Sequence, residues 1–228
     1  VNSWKSWPNS AFDLRLDLLR EVAQDFRYLL NRGYHSEPAL RFLGNRWALT
    51  ALEREILKRA IFPSAEASQR KRKLVDAKEI RGKTLYIDGH NVLITVESGL
   101  QGHPVFLADD GLVRDARRLS RRFRASKTTF QALTALLQEL KGIGPKEVIF
   151  FLDRPLSRSG ELAALIRRTL AREGLSGRVE LLGAADQRLK MGVPLLASAD
   201  APLVDRAKEV FDLAGETLQK LGIKPFSL

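Results

Sequence analysis

The sequence predicts an α/β protein: a parallel sheet flanked by helices, preceded by a small all-helical N-terminal domain. Two patterns carry this. Over the first 62 residues apolar positions recur at helical spacing, and after residue 82 short apolar runs alternate with helical segments, as strands joined by crossover helices do. A chain of 228 residues with 44% apolar and 29% charged side chains has the usage of an ordinary globular protein, which excludes a disordered or low-complexity chain. We divide it into a helical domain (1–65), a basic linker (66–82) and an α/β domain (83–228).

In 11–30, Leu14, Leu18, Val22, Phe26 and Leu29/Leu30 define the first helix. A second starts at Ser36 with Pro38 in its first turn, and a third follows the T-x-x-E capping box of Thr50 and Glu53. Phe42 and Trp47 are expected in the core of this bundle, the competing role being a base-stacking platform. The segment from Pro63 to Gln69 reads as a linker.

The expected strands are Thr84–Ile87, Glu147–Leu152, Val179–Leu182 and Val193–Ala197, with a weaker one at Val210–Leu213. Between them, Leu112, Ala116, Leu119 and Phe123 predict a helix over 112–124 with arginines on its other face. Thr128 and Gln131 form a capping box for a helix through Leu133, Leu136, Leu137 and Leu140. Ser159 or Gly160 opens another, carrying Leu162, Leu165, Ile166 and Leu170. Residues 92–108 fit either a strand or a helix.

No apolar run approaches the roughly 20 residues needed to span a bilayer, and VNSWKSWPNS has no basic-then-apolar signal pattern. The absence of Cys excludes disulfide scaffolds, thiol catalysis and zinc ribbons. With three His, any metal must be held mainly by carboxylates, which favours Mg²⁺ or Mn²⁺. Of the net charge of +11, residues 70–83 contribute +5 and residues 114–127 contribute +6, leaving the rest neutral. Such concentration points to a phosphate-binding surface; its competitor is two solvated basic segments. The residues we expect to meet nucleic acid are Lys71, Arg72, Lys73, Arg117, Arg118, Arg121 and Arg122, with Arg158 at a serine-rich helix start.

Three expected strands run into an aspartate: Asp88, Asp153 and, after a short extension, Asp200. In a parallel sheet the carboxyl ends of the strands share one edge, where active sites of open α/β folds form. The alternative is that each aspartate merely caps the helix or turn that follows. Crowded carboxylates need a hard cation to neutralise them, and such a site hydrolyses phosphodiesters. Asp205 and one of Asp109, Asp110 and Asp115 are further candidates; Asp110 is favoured because Gly111 permits a turn that aims it inward. His90 fits a hydrogen-bonding role better than a ligand's, having no other His nearby in sequence.

The segment Tyr86-Ile-Asp-Gly-His-Asn-Val-Leu93 resembles the opening motif of PIN-like nucleases, especially their NYN branch. The resemblance extends through Phe151-Leu-Asp153 and Ala197-Ser-Ala-Asp-Ala-Pro-Leu-Val-Asp-Arg206, covering about residues 82–222. The two-part chain is also similar to an uncharacterised, largely archaeal family that joins a helical domain to a PIN-like one. The resemblance implies a PIN-like sheet and cytoplasmic, metal-dependent ribonuclease activity on RNA such as ribosomal or transfer RNA. It makes Asp88, Asp153 and Asp200 ligands of Mg²⁺ or Mn²⁺, and Asn91 an orienting residue beside Asp88. The second acidic position of that family has no unambiguous match, so a noncatalytic RNA- or ribosome-binding protein is the runner-up.

Overall fold

A computed structural model describes residues 14–116, 126–153, 159–183 and 192–228. The helical region comprises α1 (Leu16–Asn31), α2 (Ser36–Arg46) and α3 (Ala51–Ala60), the last opened by the expected Thr50/Glu53 capping box. Leu19, Val22, Phe26, Leu40, Leu43, Ile56 and Leu57 form its core. Phe42, expected inside, is 62% exposed, because Ala39, Leu40 and Leu43 already occupy the buried face of α2. Trp47 packs partly buried at the edge.

The stretch expected to be a linker is folded. Ser64–Lys71 forms α4 and Ala77–Ile80 forms α5; between them Leu74 bridges the sheet at Val210. Its polar composition concealed this, since the order comes from tertiary partners such as Arg70, whose side chain is almost fully buried.

Five strands, β1 (Thr84–Asp88), β4 (Glu147–Asp153), β5 (Gly177–Leu182), β6 (Leu195–Ala197) and β7 (Glu209–Val210), form a parallel sheet in the order β5-β4-β1-β6-β7. The fold is therefore α/β, a parallel sheet flanked by helices. Side chains alternate along each strand: Leu85, Ile87, Val148, Phe150 and Leu152 enter the main core, while Tyr86, Ile149 and Phe151 enter a second core on the opposite face. The main core is covered by α6 (Gly89–Leu100), α7 (Lys127–Ile143), α8 (Ser159–Glu173) and α10 (Leu213–Lys220). The short α9 (Ala201–Arg206) covers the second core through Val204.

The ambiguous segment 92–108 contains both elements. The β-branched run Val92–Val96 is helical because Asp88 caps α6 and nearly every side of that helix is buried. It is followed by β2 (Val105–Leu107). The helix expected over 112–124 is overturned where the chain is described: β3 (Val113–Asp115) runs antiparallel to β2, with Val105 opposite Asp115. The spacing of Leu112 and Ala116 looked helical because Arg114 counted as solvent-facing, whereas ion pairing buries it. Residues 117–124 lie outside the described residues. The cap of α7 is Ser126 with Thr129, two residues before the expected box, because buried Glu97 of α6 accepts hydrogen bonds from both hydroxyls at 3.0 and 2.7 Å.

A small sheet, β3-β2-β8 with β8 at Phe226–Ser227, joins the two parts. Phe106 of β2 is buried in the helical core and packs on Phe226, so that core is completed by the α/β region. The main chain of Asp109 donates to Ala60 at 2.8 Å, while its carboxylate takes a two-bonded grip from Arg27.

Candidate functional site

The strands β4, β1 and β6 are neighbours, so their carboxyl ends lie along one edge, where Asp153, Asp88 and the loop after β6 emerge. Asp88 pairs in register with Phe151, and Asp153 stands two residues further along β4. Asp200 follows Ala197, the partner of Ile87, by three residues.

The chain turns from β1 into α6 directly at Asp88, and the next residue must be small. A Cβ on Gly89 would lie 2.7 Å from Leu152 and 3.1 Å from the Phe151 carbonyl. Asp88 accepts the amide of Asn91 at 3.4 Å and the hydroxyl of Ser198 at 2.9 Å. Ser198 Oγ also accepts the amide of Asp200 at 3.0 Å. Asn91 Oδ1 accepts the amide of Ala199 at 2.9 Å, and Arg114 Nε donates to the Ala199 carbonyl at 2.9 Å. Ser198 and Ala199 are thus fastened to side chains outside the loop, and Asp200 is held in turn through Ser198.

Burial pushes the Asp88 carboxyl up to about 7, and the charges of Asp200 and Asp153 add to this against the pull of its two hydrogen bonds. Asp200 is raised by partial burial and by Asp153, while Arg114 and Arg59 of α3 draw it back. The three aspartates therefore sense one another electrostatically. Among the described residues, however, no three His, Asp or Glu side chains are gathered closely enough to enclose a metal ion by themselves.

His90 is buried behind the edge, its Nδ1 accepting the amide of Asp153 at 3.4 Å, and burial lowers its pKa. The serine hydroxyl at the start of α8 is turned inward: Ser159 donates to the Asp153 carbonyl at 2.6 Å.

Three of the four other candidate carboxylates are engaged by arginines. Asp110 is fully buried and holds Arg114 at 2.6 and 2.8 Å; Gly111, with φ of +82°, makes the inward turn, but the turn aims the side chain at that guanidinium. Asp205 holds Arg70 at 2.7 and 3.0 Å, which lowers its pKa. Asp109 is paired with Arg27, and Asp115 accepts the hydroxyl of Thr95 at 3.0 Å. Asp110 and Asp205 thus serve as ion-pair partners where the sequence suggested members of an acidic cluster, a difference only the positions of Arg70 and Arg114 could reveal.

Lys71 and Arg72 are exposed, while Lys73 reaches back to the carbonyls of Val204 and Asp205 at 2.9 and 2.6 Å, closing the end of α9. Arg117, Arg118, Arg121, Arg122 and Arg158 lie outside the described residues. Sequence reasoning missed Ser198 and Arg114. A small hydroxyl residue two positions before an aspartate at a strand end was the available signal for Ser198; Arg114 had none, being one of seven cations in its window.

Among the described residues no helix is long and apolar enough to cross a membrane. Residues 18–73 match a family described as "Protein of unknown function (DUF434)" and residues 77–216 one described as "Domain of unknown function (DUF5616)". The join falls at the point where the chain bridges to Val210. The uncharacterized protein MJ0935 of Methanocaldococcus jannaschii is 34% identical over 205 residues, covering 89% of this chain and 98% of that relative. No solved structure matches. The chain belongs to the family of the domain of unknown function DUF5616, in the two-part form that carries a DUF434 region in front.

Proposed function

We propose that this protein is a metal-dependent nuclease, an endoribonuclease hydrolysing phosphodiester bonds with Asp88, Asp153 and Asp200. The observation that carries this reading is the alignment of three aspartates at the carboxyl ends of adjacent parallel strands, with one carboxyl pushed up to about 7 by burial and by the other two. The resemblance of Tyr86–Leu93 to the opening motif of NYN-branch PIN-like nucleases supports it, as does the basic excess in two short windows. An RNA substrate implies a cytoplasmic setting.

The donor chemistry fits Mg²⁺ or Mn²⁺: the group is all carboxylate oxygen, and at Asp88 burial and repulsion from the other two acids outweigh the pull of its two hydrogen bonds. That the carboxylates do not form a closed cage agrees with Mg²⁺ preferences, since this ion usually keeps several waters and takes one or two carboxylates together with substrate phosphate oxygens. When bound, such an ion supplies charge neutralisation and a water acidic enough to attack phosphorus. Asp88 and Asp153 would hold it, with Asp200 beside them. Ser198 fixes the rotamer of Asp88, and Asn91 sets the height of the Ala199 peptide and hence of Asp200.

Exchanging Asp88 or Asp153 for Asn should abolish Mn²⁺-dependent cleavage of single-stranded RNA and leave RNA binding intact. A wild-type protein that binds RNA tightly but cuts none with Mg²⁺ or Mn²⁺ would favour a noncatalytic RNA- or ribosome-binding protein. One observation supports that second reading: Asp110 and Asp205 are committed to arginines, which takes two of the acids that the sequence suggested away from the site.

A further inference from the structure

We propose that Arg70 and Arg114 are positioning residues through which the N-terminal helical region holds the segment carrying Asp200, making that region part of the site's frame. The inference rests on the reading of Asp200 as a site residue.

Arg70 belongs to α4 and Arg114 to β3, and both side chains are at least nine-tenths buried. Arg114 engages every nitrogen: Nη1 and Nη2 on Asp110, and Nε on the carbonyl of Ala199, one residue before Asp200. Arg70 places Nε and Nη2 on Asp205, five residues after Asp200, and its Nη1 lies 3.7 Å from Asp110. Both ends of the segment that bears Asp200 are therefore held by guanidinium groups that share one carboxylate. The ring of Phe62, between α3 and α4, packs 4.6 Å from the Arg70 guanidinium carbon and 5.0 Å from that of Arg114. Lys73 adds its two bonds to the carbonyls at the end of α9.

This arrangement uses the planar fork of arginine, which presents several donors in fixed directions; lysine offers the charge without the geometry. The contacts of Arg70 with Asp205 and Asp110, of Lys73 with the end of α9 and of Phe62 with Arg114 cross the division between the two family regions, at 18–73 and 77–216, whereas Arg114 holds Asp110 and Ala199 from within the second. Burying two arginines and a carboxylate costs more than burying apolar groups of the same size, so stability alone is a poor reason for the network. Fixing one loop against β1 is a better one.

The test uses the full chain with Arg114→Lys, Arg70→Lys and the milder Phe62→Leu, which keeps an apolar side chain of similar size. With Mn²⁺ and single-stranded RNA, kcat should fall for the lysine variants by up to about 100-fold, the cost of displacing a reacting group by about 1 Å, while KM stays near its wild-type value. Phe62→Leu should change kcat in the same direction by less. Amide exchange over 198–206 should quicken by about tenfold while β1 and β4 keep their protection. In Arg114→Ala, guanidinium at sub-denaturing concentration should restore the slow exchange and methylammonium should not, since only the former replaces the fork. Unchanged exchange over 198–206 in all variants, or rescue by both cations alike, would overturn the proposal. If the wild type cuts no RNA, the nuclease reading fails while exchange and rescue still decide the positioning role.

Discussion

Ser198 donates its hydroxyl to Asp88 at 2.9 Å across 110 positions of sequence, and the same oxygen receives the amide of Asp200. One small side chain thereby ties the end of β1 to the loop after β6. Replacing it with Ala removes a donor from one acid and an acceptor from the amide of another. The expected loss is about 1–2 kcal/mol of stability, because buried polar groups lose partners. The Asp88 carboxyl should rise further above about 7, since the Ser198 hydrogen bond now lowers it. The acid limb of the cleavage pH profile should shift upward, and an unshifted limb would count against Asp88 as the titrating group.

Asp88→Asn should stabilise the metal-free protein, and only at higher pH. The folded carboxyl loses its proton near about 7, the unfolded one near about 4. Below both values each state is protonated and the aspartate costs nothing; between them only the unfolded chain ionises, so stability declines as pH rises towards the folded value. The asparagine variant escapes this decline. Denaturant melts should show it more stable than wild type by about 1–3 kcal/mol near about pH 8, with little difference near about pH 4. Equal stability at the higher pH would mean that the carboxyl is not held in an unfavourable charged state.

Asp110→Asn should have the opposite effect, since Asp110 is the shared anion for Arg114 and Arg70. Removing one partner of a buried pair typically costs about 3–5 kcal/mol. Exposed Asp153, by contrast, should tolerate Asn within about 0.5 kcal/mol. Thermal melts of the two variants distinguish a structural acid from a site acid without reference to activity.

Gly89→Ala tests the turn from β1 into α6. Its methyl would meet Leu152 and the Phe151 carbonyl, and main chain does not yield as a side-chain tip does. We expect a loss of about 1–3 kcal/mol, from overpacking against β4. A neutral substitution would show that β4 and α6 can part at little cost.

Lys71 and Arg72 are exposed, so replacing both by Gln should leave stability unchanged and weaken binding to many RNA sequences alike. The slope of log affinity against log salt should flatten by about 0.7 for each single-strand phosphate that the variant no longer neutralises. The same holds for exchanging Arg117, Arg118, Arg121 and Arg122 for Gln. An unchanged slope would identify the basic windows as solvated faces. Lys73 is left out because it closes the end of α9.

Periodicity and capping chemistry were sufficient for the elements whose own residues decide them. The helix after Thr50 and Glu53, the apolar run of β4 and the helix from Ser159 each carry their signal within a few consecutive positions. The three strand-end aspartates were legible for the same reason: a strand followed at once by an acid is a local pattern. Where partners distant in sequence decide, local reading failed. Polar α4 resembled a linker until Arg70 found Asp205 135 residues away, and Arg114 read as one more surface cation until Asp110 and Ala199 buried it.

By itself, then, the sequence determined the α/β class, the helical front, the carboxyl-edge position of Asp88 and Asp153 and the basic excess, because these follow from short-range patterning and composition. Only the tertiary structure decided which acids stay available and which are committed to arginine, that the helical region shares its core with β2 and β8, and that Ser198 joins two strand ends. Ion pairing and burial depend on which side chains meet in space, and Coulomb and desolvation energies vary steeply with that distance and burial. The spacing of residues along the chain carries no record of it.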